Sequence, residues 1–176
     1  FRPQHLEAQA NLAQVLRAAF GDDVVDHYHH AAQWEISETD RVVTDFELQR
    51  LLHDSTVALG AECSCFATFV ADSSEASYRF VVDCDPAWWH RYREAGCIRH
   101  DPWLAYARGH SEPAHTSELS VLTPEAQMAV DLAREAGFVA ALLVPAHSSV
   151  HDGRVSLLTL GHSDPGHFHG SRVPSR

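Results

Sequence analysis

Three prolines, each placed directly after a residue that can cap a helix, constrain the local structure of this chain more than any other feature. The dipeptides are Asp85-Pro86, Asp101-Pro102 and Thr123-Pro124. Asp and Thr are favoured N-caps, and proline suits the first helical turn because the amide hydrogen it lacks would have no acceptor there. The sequence therefore predicts three short helices that begin at these prolines and end near Gly96, Gly109 and Gly137.

Runs of alternating apolar residues lie on both sides of these helices. Strands are predicted over residues 63–71 and 77–84, and again over residues 138–147 and 154–161. Short polar turn sequences separate the members of each pair, so each pair is expected to form an antiparallel hairpin. Strand pairs separated by helices are typical of an α+β layered domain with a mainly antiparallel sheet, here of about five strands.

The two ends of the chain are expected to lie outside this layered domain. Residues 4–20 carry apolar side chains at helical spacing, and a second helix is predicted to begin near Thr39 or Thr44. Residues 1–38 are therefore interpreted as a helical extension and linker. Residues 164–176 are predicted to form a mobile tail.

The charged residues exclude several functions. The 13 basic residues are all arginine, and 24 acidic residues give a net charge of −11. A chain without lysine cannot form a lysine Schiff base or use a phosphate-loop lysine. Its acidity argues against contact with nucleic acid or an anionic membrane. The apolar run 138–146 is too short to cross a bilayer, which takes about 20 residues.

Neither the cysteines nor the histidines predict a disulfide framework or a metal site. The 4 cysteines are too few and too irregularly spaced for disulfides, which indicates a reducing compartment. The 14 histidines include two dense clusters, His27-x-His29-His30 and His162…His167-x-His169. Both clusters lie in predicted loops and lack Cys or carboxylate partners at zinc-site spacing, so solvated histidines are the favoured interpretation. No metal and no cofactor is predicted.

Large aromatic residues are concentrated in the segment 83–108. They are Trp88, Trp89, Tyr92 and Trp103. Trp88 and Tyr92 are four residues apart and so lie side by side on one helix face, which covers either core or a ligand pocket. Because indole N–H and phenol O–H groups need partners when buried, such a face suits a largely apolar ligand with a few polar atoms.

Asp101 is the acidic residue that could complete such a pocket. A buried carboxylate needs donors, and the amide N–H of a ligand would be one. Two simpler interpretations remain open at this point. Trp88 and Tyr92 could be a stripe of the core, and Asp101 could serve only as the N-cap of the helix that opens at Pro102.

The pattern Trp88-x3-Tyr92-x8-Asp101-Pro102 resembles the signature of the autoinducer-binding domain of LuxR-type quorum-sensing regulators. The resemblance continues through Gly137-Phe138, Val144-Pro145 and the stretch 153–161, and it covers residues 39–163. It implies a cytoplasmic, non-catalytic sensor domain with a three-layer α/β/α arrangement similar to GAF and PAS modules. The implied ligand is an N-acyl homoserine lactone held between the sheet and the helices, and the implied assembly is a homodimer.

The resemblance also implies roles for individual residues. Trp88 would donate its indole N–H to the lactone carbonyl, Asp101 would accept the ligand amide N–H, and Tyr92 would line the acyl chain. Thr159 lies where the family often has a hydroxyl near the acyl carbonyl, with Ser156 as a weaker candidate on the same strand. Trp103, together with Cys84, Thr116 and Ala141, completes the set of expected ligand-lining residues.

Three positions depart from the pattern of the family. Cys84 stands where a tyrosine usually donates to the amide carbonyl, Thr116 falls near a second pocket tryptophan, and Ala141 replaces a common glycine. A thiol is a weaker and shorter donor than a phenol. Because Cys84 and Thr116 also remove aromatic wall, we expect a roomier or more polar pocket, and with it a different acyl chain or a different molecule.

Two alternatives complete the sequence-based expectations. An enzyme could be assembled from Cys84 with His147, or from Asp101 as a general base, but no hydrolase, zincin or phosphate-loop motif accompanies them, so no enzyme is predicted. In the family a helix-turn-helix that binds DNA follows the sensor domain, and none is expected after Gly161 here. The chain is then either the sensor part of a regulator or a stand-alone sensor that sequesters ligand or pairs with other regulators.

Overall fold

The computed structural model describes residues 45–70, 78–147 and 153–168. Its helices and strands, in chain order, are α1 Asp45–Ala58, β1 Cys63–Val70, β2 Arg79–Asp83, α2 Pro86–Glu94, α3 Pro102–Gly109, β3 Ala114–His115, α4 Pro124–Glu135, β4 Ala140–His147 and β5 Arg154–His162. Single 3₁₀ turns cover Cys97–Arg99 and Thr116–Glu118. The predicted helix over residues 4–20, the linker that follows it and the cluster at His27 lie outside the described residues.

The three helices predicted from their prolines are confirmed. The side chains of Asp85, Asp101 and Thr123 accept hydrogen bonds from backbone amides in the first turns of α2, α3 and α4. Gly96 and Gly137 follow α2 and α4 with φ of +66° and +103°, where a side chain would strain the backbone. Gly109 instead remains the last residue of α3.

The strands form one antiparallel sheet in the order β2-β1-β5-β4-β3. Both predicted pairs are confirmed, β1 with β2 and β4 with β5. The central β1–β5 ladder joins the two pairs and sets Cys65 opposite Thr159. β2 is shorter than predicted, so Cys84 lies beyond its end. β3 was not predicted, because two residues cannot display an alternating pattern.

Helices cover both faces of the sheet, which confirms the three-layer α/β/α arrangement. On one face Leu48 and Leu52 of α1 pack against Phe66 and Leu158. On the other face residues of α2, α3 and α4 pack against the alternate positions of β1, β4 and β5. Since both faces are covered, β1 and β5 are buried along nearly their whole length. A sheet residue therefore belongs to the α1 side or to the α2–α3–α4 side according to its place in the alternation.

The segment after β5 lies against the domain as far as the structure describes it. His162 ends β5 half-buried, stacks on His167 with ring centroids 3.7 Å apart, and lies 3.5 Å from a Glu62 carboxylate oxygen. Phe168 packs against the apolar cluster on the α1 side. The interpretation of these histidines as solvated loop residues is therefore wrong for His162, and the first residues of the predicted mobile tail contact the domain.

Two further features are absent from the described ranges. No group of three or more His, Cys, Asp or Glu side chains within them could hold a metal ion. No helix within them has the length and apolar character needed to cross a membrane.

Candidate functional site

The aromatic residues of α2 and α3 form a cluster between the helices and the sheet. Trp88 is 4% exposed and Tyr92 is 2% exposed, and their ring centroids are 5.2 Å apart. Phe138, which follows α4, lies 5.8 Å from Trp88 and 6.0 Å from Trp103 between ring centroids. The predicted neighbours on one helix face are thus confirmed as neighbours, and α2, α3 and the residue after α4 each contribute a ring.

Asp101 connects this cluster to the start of α3. Its Oδ2 accepts a hydrogen bond of 2.5 Å from the Tyr92 hydroxyl. Its Oδ1 accepts from the amides of Trp103 at 2.7 Å and Leu104 at 3.3 Å. The simple interpretation of Asp101 as an N-cap is therefore confirmed, and the same carboxylate has a second role as the partner of Tyr92.

Burial governs the protonation of both groups. It raises the pKa of Asp101, against the opposing effect of the hydrogen bonds from Tyr92, Trp103 and Leu104. It also raises the pKa of Tyr92 well above the usual value, and the negative charge of Asp101 adds to that effect. Tyr92 therefore remains a neutral donor at physiological pH. A carboxylate offers about four lone-pair directions, so Asp101 retains room for one further donor.

The indole nitrogen of Trp88 is the polar atom that this cluster leaves unsatisfied. Nε1 is buried, and no acceptor from the described residues lies within hydrogen-bonding distance of it. A buried donor without a partner costs about 1–3 kcal/mol of stability. Such an atom indicates a place where a bound molecule or water supplies the acceptor.

Of the two hydroxyl residues predicted on β5, only Thr159 lies on the side of this cluster. Thr159 pairs with Cys65 in the β1–β5 ladder. Burial raises the pKa of the Cys65 thiol well above its usual value, and the charges of Cys84 and Asp101 add to that effect. Thr159 itself is buried, with 3% of its surface exposed.

Ser156 is not brought to the cluster. It lies three residues before Thr159, and an odd spacing along a strand reverses the direction of the side chain. Its Oγ lies 3.5 Å from Oγ1 of Thr68 on the α1 side of the sheet. The sequence-based choice of Ser156 as a ligand contact overlooked this alternation.

The three positions that depart from the predicted pattern lie at different places around the sheet. Cys84 is half-buried against the aromatic cluster, with Sγ 3.9 Å from the Asp85 carbonyl oxygen. Thr116 lies at the β3 edge, where its Oγ1 accepts a 3.2 Å hydrogen bond from the amide of Ala141. Ala141 is fully buried on the cluster side. The hydroxyl of Thr116 thus extends the short β3–β4 ladder by one position.

The geometry does not support the enzyme assembled from Cys84 and His147. Burial, with the nearby charges of Asp83 and Asp85, raises the pKa of Cys84 to about 12, which disfavours the reactive thiolate. His147 pairs with Val155 at the start of β5, whereas Cys84 follows the end of β2 that pairs with the start of β1. Measured along β5, the positions level with His147 and with Cys84 are six residues apart, or about 20 Å.

Phe138 and Gly161 belong to the cluster but were not predicted as site residues. A Cβ atom on Gly161 would lie 2.4 Å from Cδ1 of Phe138 and 2.6 Å from Sγ of Cys63. Phe138 can therefore rest on the sheet beside Trp88 only because residue 161 has no side chain. A glycine inside an otherwise apolar strand was the available sequence signal for this close approach.

Comparisons with known proteins identify a family and several similar folds. The family model described as "Autoinducer binding domain" matches residues 44–172. A search of curated proteins finds no match.

Solved structures supply the similar folds. The N-acylhomoserine lactone dependent LuxR family transcription factor CepR2 from Burkholderia cenocepacia aligns with TM-score 0.56 and 16% identity over 69% of this chain and 70% of that one. SdiA in complex with octanoyl-rac-glycerol aligns with TM-score 0.57 and 13% identity over 85% of this chain. The alignment spans only 58% of the SdiA chain. The VqsR LBD domain from Pseudomonas aeruginosa aligns with TM-score 0.50 and 14% identity over 78% and 81% of the two chains.

Proposed function

This chain belongs to the autoinducer-binding domain family of LuxR-type regulators, and from that membership we propose that it binds an N-acyl homoserine lactone or a similar amphipathic amide. Domains of this family are ligand sensors and not enzymes. The observation that carries the proposal is the buried indole N–H of Trp88, which has no acceptor among the described residues and lies in the same cluster as Tyr92, the partner of Asp101.

In the proposed complex the polar atoms of the ligand meet two groups on α2 and α3. Trp88 donates to the lactone carbonyl, and Asp101 accepts the amide N–H with its remaining lone pairs. Tyr92 stays hydrogen-bonded to Asp101, orients its carboxylate, and lines the beginning of the acyl chain. Two convergent polar groups in an otherwise apolar site are typical of sites for small amphipathic molecules.

The sheet and the remaining positions form the rest of the proposed site. The hydroxyl of Thr159 faces the acyl carbonyl, and Trp103 and Ala141 line the apolar wall. Cys84 and Thr116 replace larger aromatic residues of the family, and the Thr116 hydroxyl is already bonded to the sheet edge. A ligand that differs from the common lactones in chain or head group therefore fits the proposal. SdiA, a relative in fold, is recorded with octanoyl-rac-glycerol, an acyl compound without a lactone.

The setting in the whole protein is also part of the proposal. We propose a cytoplasmic homodimer in which the signal controls DNA contact through a helix-turn-helix unit outside these residues. Support for this setting comes from the family alone, since CepR2 is described as a transcription factor.

Ligand titration of the wild type and two matched tryptophan variants tests the proposal. Acyl-homoserine lactones of short to long chain, and an acyl glycerol, are titrated while the thermal midpoint and the tryptophan fluorescence are followed. Trp88→Phe keeps a ring but removes the N–H, and we expect the affinity for a binding lactone to fall by about tenfold. Trp89→Phe makes the same chemical change in the half-buried neighbour and should leave affinity nearly unchanged. Equal affinity in Trp88→Phe and the wild type, or no response to any compound, contradicts the proposal.

A further inference from the structure

Arg108, near the C-terminal end of α3, lies half-buried over two aromatic rings. Its guanidinium carbon is 5.3 Å from the ring centroid of Phe69 and 5.8 Å from that of Tyr78. It also donates a hydrogen bond to the Tyr78 hydroxyl. The ion pairs found within the described ranges do not include Arg108. A partly desolvated cation without a counter-ion is costly, and it indicates a place where an anion is stabilised.

The regular rise of a helix and of a strand separates Arg108 from the Trp88–Asp101 end of the proposed site. Arg108 follows Asp101 by seven residues, which puts both on one face of α3 about 10 Å apart. On the sheet below, Phe69 beneath Arg108 is four residues along β1 from Cys65, the partner of Thr159, which corresponds to about 13 Å. Helix and strand therefore run in the same direction from the Asp101 end to the Arg108 end. In the sequence, only the seven-residue spacing between Asp101 and Arg108 indicated that the two share a helix face, and Arg108 is not part of the motif that predicted the site.

The layer between these two ends consists of buried apolar side chains. They are Ala67, Leu104, Ala107, Leu143 and Leu157, all buried in the same cluster as Trp88. The layer between α3 and the sheet thus has a polar end at Trp88 and Asp101, an apolar middle, and a cation at the opposite end.

We infer that Arg108 is a second polar anchor of this site and binds a carboxylate at the far end of the ligand's acyl chain. This inference rests on the proposed function, because it assumes that the head group of the ligand occupies the Trp88–Asp101 end. A planar guanidinium recognises a carboxylate through two parallel hydrogen bonds. The rings of Phe69 and Tyr78 hold the guanidinium plane, and Tyr78 uses only one of its five N–H donors. If the acyl chain ended in a methyl group instead, the other N–H donors of Arg108 would face hydrocarbon.

The first arm of the test needs no variant. Two N-acyl homoserine lactones with the same number of chain atoms are titrated into the wild-type protein, one ending in a methyl group and one in a carboxylate. We expect the carboxylate compound to bind about tenfold more tightly. If the methyl compound binds as tightly or more tightly, the inference about Arg108 is overturned while the proposed function stands. If neither these two compounds nor the wider lactone panel binds, the proposed function fails and the inference fails with it.

The second arm assigns the preference to Arg108. Arg108→Gln should abolish the preference for the carboxylate and leave the affinity for the methyl compound within about twofold, and Arg108→Lys should keep an intermediate preference because it retains the charge. Arg93→Gln is the matched control, because Arg93 also lies over an aromatic ring, 5.9 Å from that of Trp89, but is exposed on α2. An unchanged preference in Arg108→Gln, or its loss in Arg93→Gln, contradicts the inference.

Discussion

The Tyr92 hydroxyl donates to Oδ2 of Asp101 at 2.5 Å, so one carboxylate holds the last turn of α2 against the first turn of α3. The other oxygen of the same group caps α3 through the amides of Trp103 and Leu104. Capping and participation in the site are therefore not alternatives for Asp101. The residue that starts the helix is the one that fixes the orientation of the aromatic face beside it.

Removal of the Asp101 carboxylate is expected to destabilise the domain more than removal of another N-cap. Asp101→Ala deletes a cap, worth about 1 kcal/mol, and leaves the buried Tyr92 hydroxyl without its acceptor, which costs about 1–3 kcal/mol more. Asp85→Ala is the matched control, because Asp85 caps α2 through a single exposed contact with the Ala87 amide, and it should cost only about 1 kcal/mol. Urea unfolding of both variants measures the difference. Equal losses would show that the Tyr92 contact contributes nothing.

The raised pKa of Asp101 gives a pH dependence of definite sign. Between the ordinary value of 3.8 and the raised folded-state value, the folded protein binds more protons at this site than the unfolded chain does. The stability that Asp101 contributes is therefore fully present below about pH 3.8 and is lost as the pH rises through the folded-state pKa. Asp101→Asn cannot titrate. The unfolding free energy of the wild type minus that of Asp101→Asn should fall as pH rises from 3.5 towards neutrality, and a rise would mean that the hydrogen bonds outweigh burial.

A methyl group at Gly161 is expected to disturb the aromatic cluster. Its Cβ would lie within 2.4 Å of Phe138 and 2.6 Å of Cys63, and overpacking of this kind costs about 1–3 kcal/mol. Gly109→Ala is the control, because no atom lies within 4 Å of its added Cβ and alanine favours a helix over glycine by about 1 kcal/mol. Thermal unfolding should give a lower midpoint for Gly161→Ala and an equal or higher one for Gly109→Ala.

A second substitution shows whether the Gly161 effect acts through Phe138. Phe138→Leu removes the ring that the new methyl group would meet. The double variant should then lose less than the two single variants together. If the stability losses of the two single variants simply add in the double variant, the methyl group at residue 161 does not act through Phe138.

The Cys84 thiol is expected to react slowly with alkylating reagents, although the side chain is only half-buried. Its pKa is raised from 9.0 to about 12, so the thiolate fraction at neutral pH is about 1000-fold below that of an ordinary thiol. Alkylation by iodoacetamide, followed by mass spectrometry at several pH values, should be slow at pH 7 and accelerate up to about pH 12. The unfolded chain supplies the reference rate. Rapid labelling of folded Cys84 at pH 7 would contradict the raised pKa and reopen nucleophilic chemistry at this position.

Local chemistry made much of the fold predictable. The helix starts at Pro86, Pro102 and Pro124 follow from side-chain capping within a few residues, and they are confirmed. Strand pairs linked by short turns were predictable for the same reason. The β1–β5 ladder could not be predicted, because it joins segments about 90 positions apart and nothing local encodes its register.

The same limit applies to the site. The neighbours Trp88 and Tyr92 follow from helical spacing, but the contact of Phe138 with Trp88 depends on the missing side chain at Gly161. Ser156 was misplaced because membership of a strand was considered without the alternation of its two faces. Arg108 was overlooked because its meaning depends on Phe69 and Tyr78, which the tertiary structure alone brings beneath it.

Strand β5 is shared by the two halves of the core. Thr159 projects toward the aromatic cluster, while its neighbours Leu158 and Leu160 project into the layer formed with α1 and Phe168. Each of these two neighbours is one peptide unit from Thr159, so the backbone of β5 directly links the aromatic cluster to the packing around α1 and Phe168.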